Sequence, residues 1–288
     1  MGSFATHFLA FLFFFPIGIR RLLCSFSLYL KNPCVYRSKL WYMSEPRWKN
    51  IDLYVLLIAL PIASLSEIFF FLTFSGHATY RFAFFQQAAV GIFFWILVIL
   101  VILRENIDPF LMHESLVFVF AGIAFLMEYW LLGKGITGLG GRVYELLGGL
   151  SLLCAAACFY LSFRPTAFFA EVVLSSCLIF KGTWVLQAGL SLYSDTFSLK
   201  GCRKISMSPA KATTDIQCDL EVDRLRGVAL MNLLFVLHLI GILLMSFCVF
   251  GALSCNRNLR CGEGTGPSLA DLEAESMLMR PLPEFELE

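Results

Sequence analysis

Five ionisable residues stand inside otherwise apolar runs of the chain: Glu67, Glu128, Glu171, Lys181 and His238. Gln86, Gln87, Gln187 and Asn232 add hydrogen-bonding groups to the same runs, and Glu145 stands near the entrance of one. A charge at bilayer depth costs several kcal/mol, so such residues mark ion pairs, cavities or pathways. Two chemistries are open to them. Lining one cavity, the carboxylates and the ammonium could relay protons or move a small solute. Paired with one another they bind helix to helix, with interhelical hydrogen bonds of about 0.6 kcal/mol each. Glu67, Gln86, Gln87, Glu128, Lys181, Asn232 and His238 form the candidate intramembrane polar cluster.

Other chemistries lack their residues. The four histidines, His7, His77, His113 and His238, form no H-E-x-x-H and no pair on one helical face, whereas a metallohydrolase needs two or three convergent ligands. That disfavours a lipid-modifying hydrolase, and no G-x-S-x-G elbow, P-loop or kinase signature supports another enzyme. Gly133-Lys134-Gly135-Ile136-Thr137-Gly138 spells G-x-G-x-x-G. That motif binds a dinucleotide only between a strand and a helix; here it follows an apolar span and reads as an interhelical loop. No cofactor and no metal are expected.

The elements that position the charged residues follow from hydropathy. Of 288 residues, 58% are hydrophobic and 15% charged, and 30 are Phe. Soluble domains carry about 25% charged residues, so lipid must cover the surplus apolar surface. Seven windows suffice for spans of about 20 residues: 4–19, 52–74, 83–103, 115–133, 143–163, 167–193 and 227–250. Backbone in lipid must satisfy its own hydrogen bonds, so the fold class is all-α, a multi-pass transmembrane helical bundle. The first span is short and stops at Arg20-Arg21, and Pro61 should kink the second. Residues 1–254 make the membrane domain. The N-terminus lacks a basic n-region and a small-residue cleavage site, so the run from Phe4 reads as a retained span. Met1-Gly2-Ser3-Phe4-Ala5-Thr6 fits the myristoylation pattern, but an N-terminus entering the membrane directly is the stronger reading.

Seven of the Lys and Arg residues fall between 20 and 51. With seven spans, the side holding this loop and the C-terminus has twelve basic residues against nine opposite. The positive-inside rule then puts the N-terminus in the lumen or outside the cell and the C-terminus in the cytosol. The tail 255–288 is acidic and poor in apolar residues; it reads as disordered and as the segment through which protein partners would be met. Net charge is +1 with no basic patch, which excludes nucleic acid. The lipid bilayer is the certain partner, in the endomembrane or plasma membrane system.

None of the ten cysteines forms C-x-x-C. Cys202 and Cys218 share the last loop, on the oxidising side by this orientation, and are expected to form a disulfide. Closing a loop of that size contributes about 3 kcal/mol in the entropic account. Cys255 and Cys261 follow the last span and fit juxtamembrane acylation.

The opening Met1-Gly2-Ser3-Phe4 with His7, Ser66-Glu67, Glu128, Gly182-x-Trp184, Lys200-Gly201-Cys202, Cys218, Arg226 and Asn232 together give a chain that resembles, over most of residues 1–250, the plant branch of the transmembrane protein 45 family. The resemblance implies a seven-helix membrane protein of unestablished biochemical activity. The family pattern carries further histidines in the third and fourth spans; here Gln86-Gln87 and Tyr129-Trp130 replace them, as in a divergent member without any metal-binding or proton-relay role those imidazoles have.

The leading expectation is a non-enzymatic membrane protein acting through interactions, and the alternative is a proton or small-solute transporter. Helix rise places Glu67 and Glu128 in the lumenal half and Lys181 near mid-membrane. Lys181 is thus expected to pair with Glu67 or Glu128, in a polar pocket opening to the lumenal side.

Overall fold

The computed structural model describes residues 4–42, 51–73, 78–106, 113–132, 138–193, 201–206 and 214–255. Among them are seven helices: α1 (Phe4–Lys31), α2 (Ile51–Thr73), α3 (Ala78–Asn106), α4 (Glu114–Leu131), α5 (Gly138–Phe163), α6 (Phe168–Tyr193) and α7 (Glu221–Cys255). All seven are long and apolar enough to cross a membrane. Successive helices run in opposite directions. One end of the bundle, the N-terminal face, holds the start of α1 and the start of α7. The opposite, C-terminal face holds residues 32–42, the α5–α6 turn and the end of α7. Residues 256–288 of the expected tail, with Cys261, and all but the last residue of the Gly133–Gly138 run lie outside the described residues.

α6 is the central element, with most of its side chains buried. α1 lies against it at backbone distance because glycines face the crossing. A Cβ on Gly18 would stand 2.7 Å from the Ile179 nitrogen, and one on Gly182 would stand 2.8 Å from the Phe15 nitrogen. Small residues at such crossings replace the hydrophobic drive that lipid does not supply. α5 packs on the other side of α6, and α4 packs on α5. α2 and α3 form a helical hairpin joined to the rest chiefly through α4.

α2 continues through Pro61. Proline has no N–H, so the carbonyl four residues earlier, that of Leu57, loses its helical donor. The Trp95 indole of α3 donates to that oxygen at 3.0 Å. A backbone acceptor stranded in lipid would cost several kcal/mol, and the neighbouring helix supplies the missing donor.

Two features differ from the expectations above. α1 runs to Lys31 rather than stopping before Arg20-Arg21; Arg21 is buried because it has a countercharge inside the bundle, described below. The last loop also contains an antiparallel hairpin, β1 (Cys202–Ser206) paired with β2 (Thr214–Cys218). Ile216 of β2 is buried with Trp184 and Leu139 in the core, so the hairpin is seated on the N-terminal face. Gly201 starts it with φ of +79°, a left-handed conformation that glycine adopts freely. Cys202 and Cys218 stand opposite each other in the register and are joined as a disulfide.

Candidate functional site

The seven residues of the candidate cluster do not converge on one point. They are distributed over separate stations, most of them local pairs between helices.

Lys181 lies halfway along α6 and is fully buried. Its Nζ donates to Glu128 Oε2 of α4 and, at 2.7 Å, to Ser151 Oγ of α5. Ser151 Oγ lies 3.1 Å from Glu128 Oε2 and 3.2 Å from the Leu147 carbonyl, so its single proton goes to one of them while it accepts from Lys181. The faces of Phe14 and Phe125 lie 4.7 and 5.1 Å from the ammonium, and ring quadrupoles attract a cation that has left water. Four helices thus meet on one charge. Both partners are largely taken out of solvent, and Glu128 also lines a cavity between α1 and the α2–α3 hairpin.

A second station lies ten residues back on α6, about 15 Å along its axis. Glu171 occupies the first turn, where the helix dipole favours a negative charge. It accepts from Arg21 Nη2 of α1 at 2.8 Å and from the Ser38 hydroxyl. Arg21 Nη1 donates to the Leu40 carbonyl at 2.8 Å, and Nη2 also reaches the Lys39 carbonyl at 3.3 Å. Residues 38–40 are therefore folded under the bundle, and the Ser38 amide donates to the Pro165 carbonyl at 2.7 Å. Arg21, Arg20 and Ser38 are the site residues that hydropathy alone places in a loop. Arg20 pairs with Asp52 at the start of α2. An acidic residue in the first turn of a buried helix is the signal that could have pointed to Arg21.

Of the two carboxylates available to Lys181, Glu67 has a different partner: it accepts from Thr6 Oγ1 at 3.0 Å near the N-terminal face. His7, adjacent to Thr6, shares a 2.9 Å hydrogen bond with the Tyr144 hydroxyl and meets the Tyr193 ring edge-on. Asn232 Oδ1 accepts from Arg142 Nε at 3.0 Å, and Arg142 also pairs with Glu145. His238 shares a 2.8 Å bond with Thr183 Oγ1 and packs on Phe180 and Trp184. Gln86 and Gln87 are half-buried on α3. Of the cysteines with an expected modification, Cys255 is an exposed thiol at the end of α7.

Chemically, each buried cation already holds a carboxylate and further oxygen acceptors. Among the described residues no group of three or more His, Cys, Asp or Glu side chains is placed to hold a metal ion. The arrangement is suited to joining helices: Lys181 ties α6 to α4 and α5, and Glu171 ties α6 to α1 and to the loop after it.

Residues 114–251 match the model of a family of unknown function (DUF716). The match runs from α4 to α7, so it contains Glu128, Ser151, Glu171 and Lys181 but not Arg21, Ser38, Thr6 or His7. No curated protein matches the chain.

Proposed function

We propose that this chain is a non-enzymatic seven-span protein of the transmembrane protein 45 family, plant branch, acting through interactions in the endomembrane or plasma membrane system. The family reading rests on the match over residues 114–251 together with the motif set outside it, from the opening Met1-Gly2-Ser3-Phe4 to Ser66-Glu67. The observation that supports a binding rather than a transporting role is the internal pairing of Lys181 with Glu128 and of Arg21 with Glu171. A relay needs groups that exchange protons with water on each side, and these groups are locked on one another. The membrane domain is residues 1–254, the N-terminus faces the lumen or the outside, and the acidic tail offers protein partners a charged cytosolic segment.

Reconstitution into sealed liposomes with an internal pH dye tests the reading. No proton flux above that of empty liposomes is expected under a pH gradient or an applied potential. A flux that disappears in Lys181→Met would overturn the reading in favour of a transporter.

A further inference from the structure

A narrow cavity of about 250 Å³ runs between α1 and the α2–α3 hairpin, closed on the far side by α4 and α6. Thr6 and Glu67 line one end and Arg21 and Trp41 the other. Fifteen residues of α1 separate Thr6 from Arg21, and at the rise of a helix that is about 22 Å. Most of the wall between is apolar, among it Leu56, Leu60, Phe94, Val98, Phe125 and Leu178, and Glu128 of α4 also lines it.

The polar groups at the C-terminal-face end carry a specific signature. Arg21 is 7% exposed, and its Nε is buried without a hydrogen-bond partner although both its terminal nitrogens are engaged. The Trp41 Nε1 is likewise buried without an acceptor. A buried donor left unsatisfied is destabilising, and two residues with such donors line the same end of one largely apolar slot. Both need an oxygen. Arg20 stands over the Trp41 ring, with its guanidinium carbon 5.0 Å from the centroid, and is paired with Asp52 as Arg21 is with Glu171.

We propose that this slot binds one long-chain fatty acid, with its carboxylate at Arg21 Nε and Trp41 Nε1 and its chain running toward Glu67. A bilayer core of about 30 Å gives each leaflet's chains about 15 Å, so the slot takes a whole chain lengthwise. A carboxylate's two acceptor oxygens offer one partner to each of the two unsatisfied donors, the wall is mostly apolar, and Glu128 within it is already held by Lys181. A bound carboxylate shares that end with Glu171 and Asp52 as well as with the guanidinium groups of Arg21 and Arg20, and it is held through the two unsatisfied donors. The site is independent of the interaction role proposed above.

The test uses the full chain in lipid nanodiscs, labelled by a diazirine-bearing palmitic acid and, in a separate arm, by phosphatidylcholine carrying the same photoreactive chain. The free acid is expected to mark slot residues of α2 and α4, and the phospholipid to mark the outer faces of α2 and α7. Trp41→Phe, which removes only the donor, should weaken slot labelling about fivefold, the loss of one hydrogen bond. Ala121→Phe, which fills the slot wall, should abolish it. Thermal unfolding of each variant in detergent shows whether it is folded. Slot labelling by the acid that is the same in wild type and in a folded Trp41→Phe would overturn the proposal. So would slot labelling by the phospholipid alone, or labelling confined to the outer faces.

Discussion

The Trp95 indole N–H donates to the Leu57 carbonyl, the backbone acceptor that Pro61 deprives of its helical partner. This one bond lets a proline sit inside a spanning helix without leaving an orphaned oxygen in an apolar setting, and it joins α2 to α3 at the same point. Trp95→Phe should lower stability by about 1–3 kcal/mol, the cost of a buried group left unpaired. Pro61→Ala restores the missing N–H, so in that background the same Trp95→Phe change should cost measurably less. Thermal unfolding of the four proteins in one detergent measures the difference; equal costs in the two backgrounds would remove the proline from the explanation.

Arg21 and Glu171 should respond asymmetrically to mutation. Arg21→Met leaves Glu171 buried without its cation and releases the Leu40 and Lys39 carbonyls, and removing one partner of a buried pair costs about 3–5 kcal/mol. Glu171→Gln keeps an acceptor for Ser38 and leaves Arg21 its two carbonyls, so its cost should be smaller. Arg21→Lys should fall between wild type and Arg21→Met, because an ammonium cannot reproduce the guanidinium's fork. Folded yield by fluorescence-detected size exclusion ranks the three, and Glu171→Gln proving worst would contradict the geometry.

The hairpin makes a redox prediction. Cys202→Ser or Cys218→Ser should destabilise the hairpin by about 3 kcal/mol in the entropic account, and proteolysis at the last loop should accelerate. Alkylation under native conditions should modify neither thiol in the wild type until reductant is added. Full labelling of both without reductant would contradict the bridge.

The same loop reports orientation. The chain has no N-x-S/T acceptor, so one can be introduced beside Ser208 and another beside Arg47 without background. Glycosylation is expected at the first and not at the second. The reverse pattern would invert the topology and remove the oxidising setting of the disulfide.

All seven helices were legible as apolar windows, because lipid imposes a length and a composition that local sequence carries. The extent of α1 was not. Arg20-Arg21 has the look of a stop, and what cancels the charge of Arg21 is Glu171, 150 residues away. Hydropathy sums neighbours along the chain and cannot register such a partner. The hairpin escaped notice for a similar reason: its strands are five residues each, and its stability comes from the Cys202–Cys218 pair and from Ile216 seated in the helical core. For Lys181, helix rise narrowed its partners to Glu67 or Glu128. The choice between them depends on which helix comes within reach of the Lys181 side chain, and α4, packed on α5, does while α2 lies beyond the slot. Thr6 as the partner of Glu67 follows from the course of α1 and has no local signature.

The claim that intramembrane charges serve as internal clamps is tested most directly by two double-mutant cycles on Lys181, read as unfolding free energy in one detergent. Lys181→Met alone should cost about 3–5 kcal/mol, since it leaves Glu128 buried and uncompensated. Adding Glu128→Gln should recover a large part of that loss, giving a coupling above about 1 kcal/mol. Adding Glu67→Gln instead should be additive within about 0.5 kcal/mol, as for sites without shared partners. Additivity of Lys181→Met with Glu128→Gln, or strong coupling to Glu67→Gln, would contradict the account.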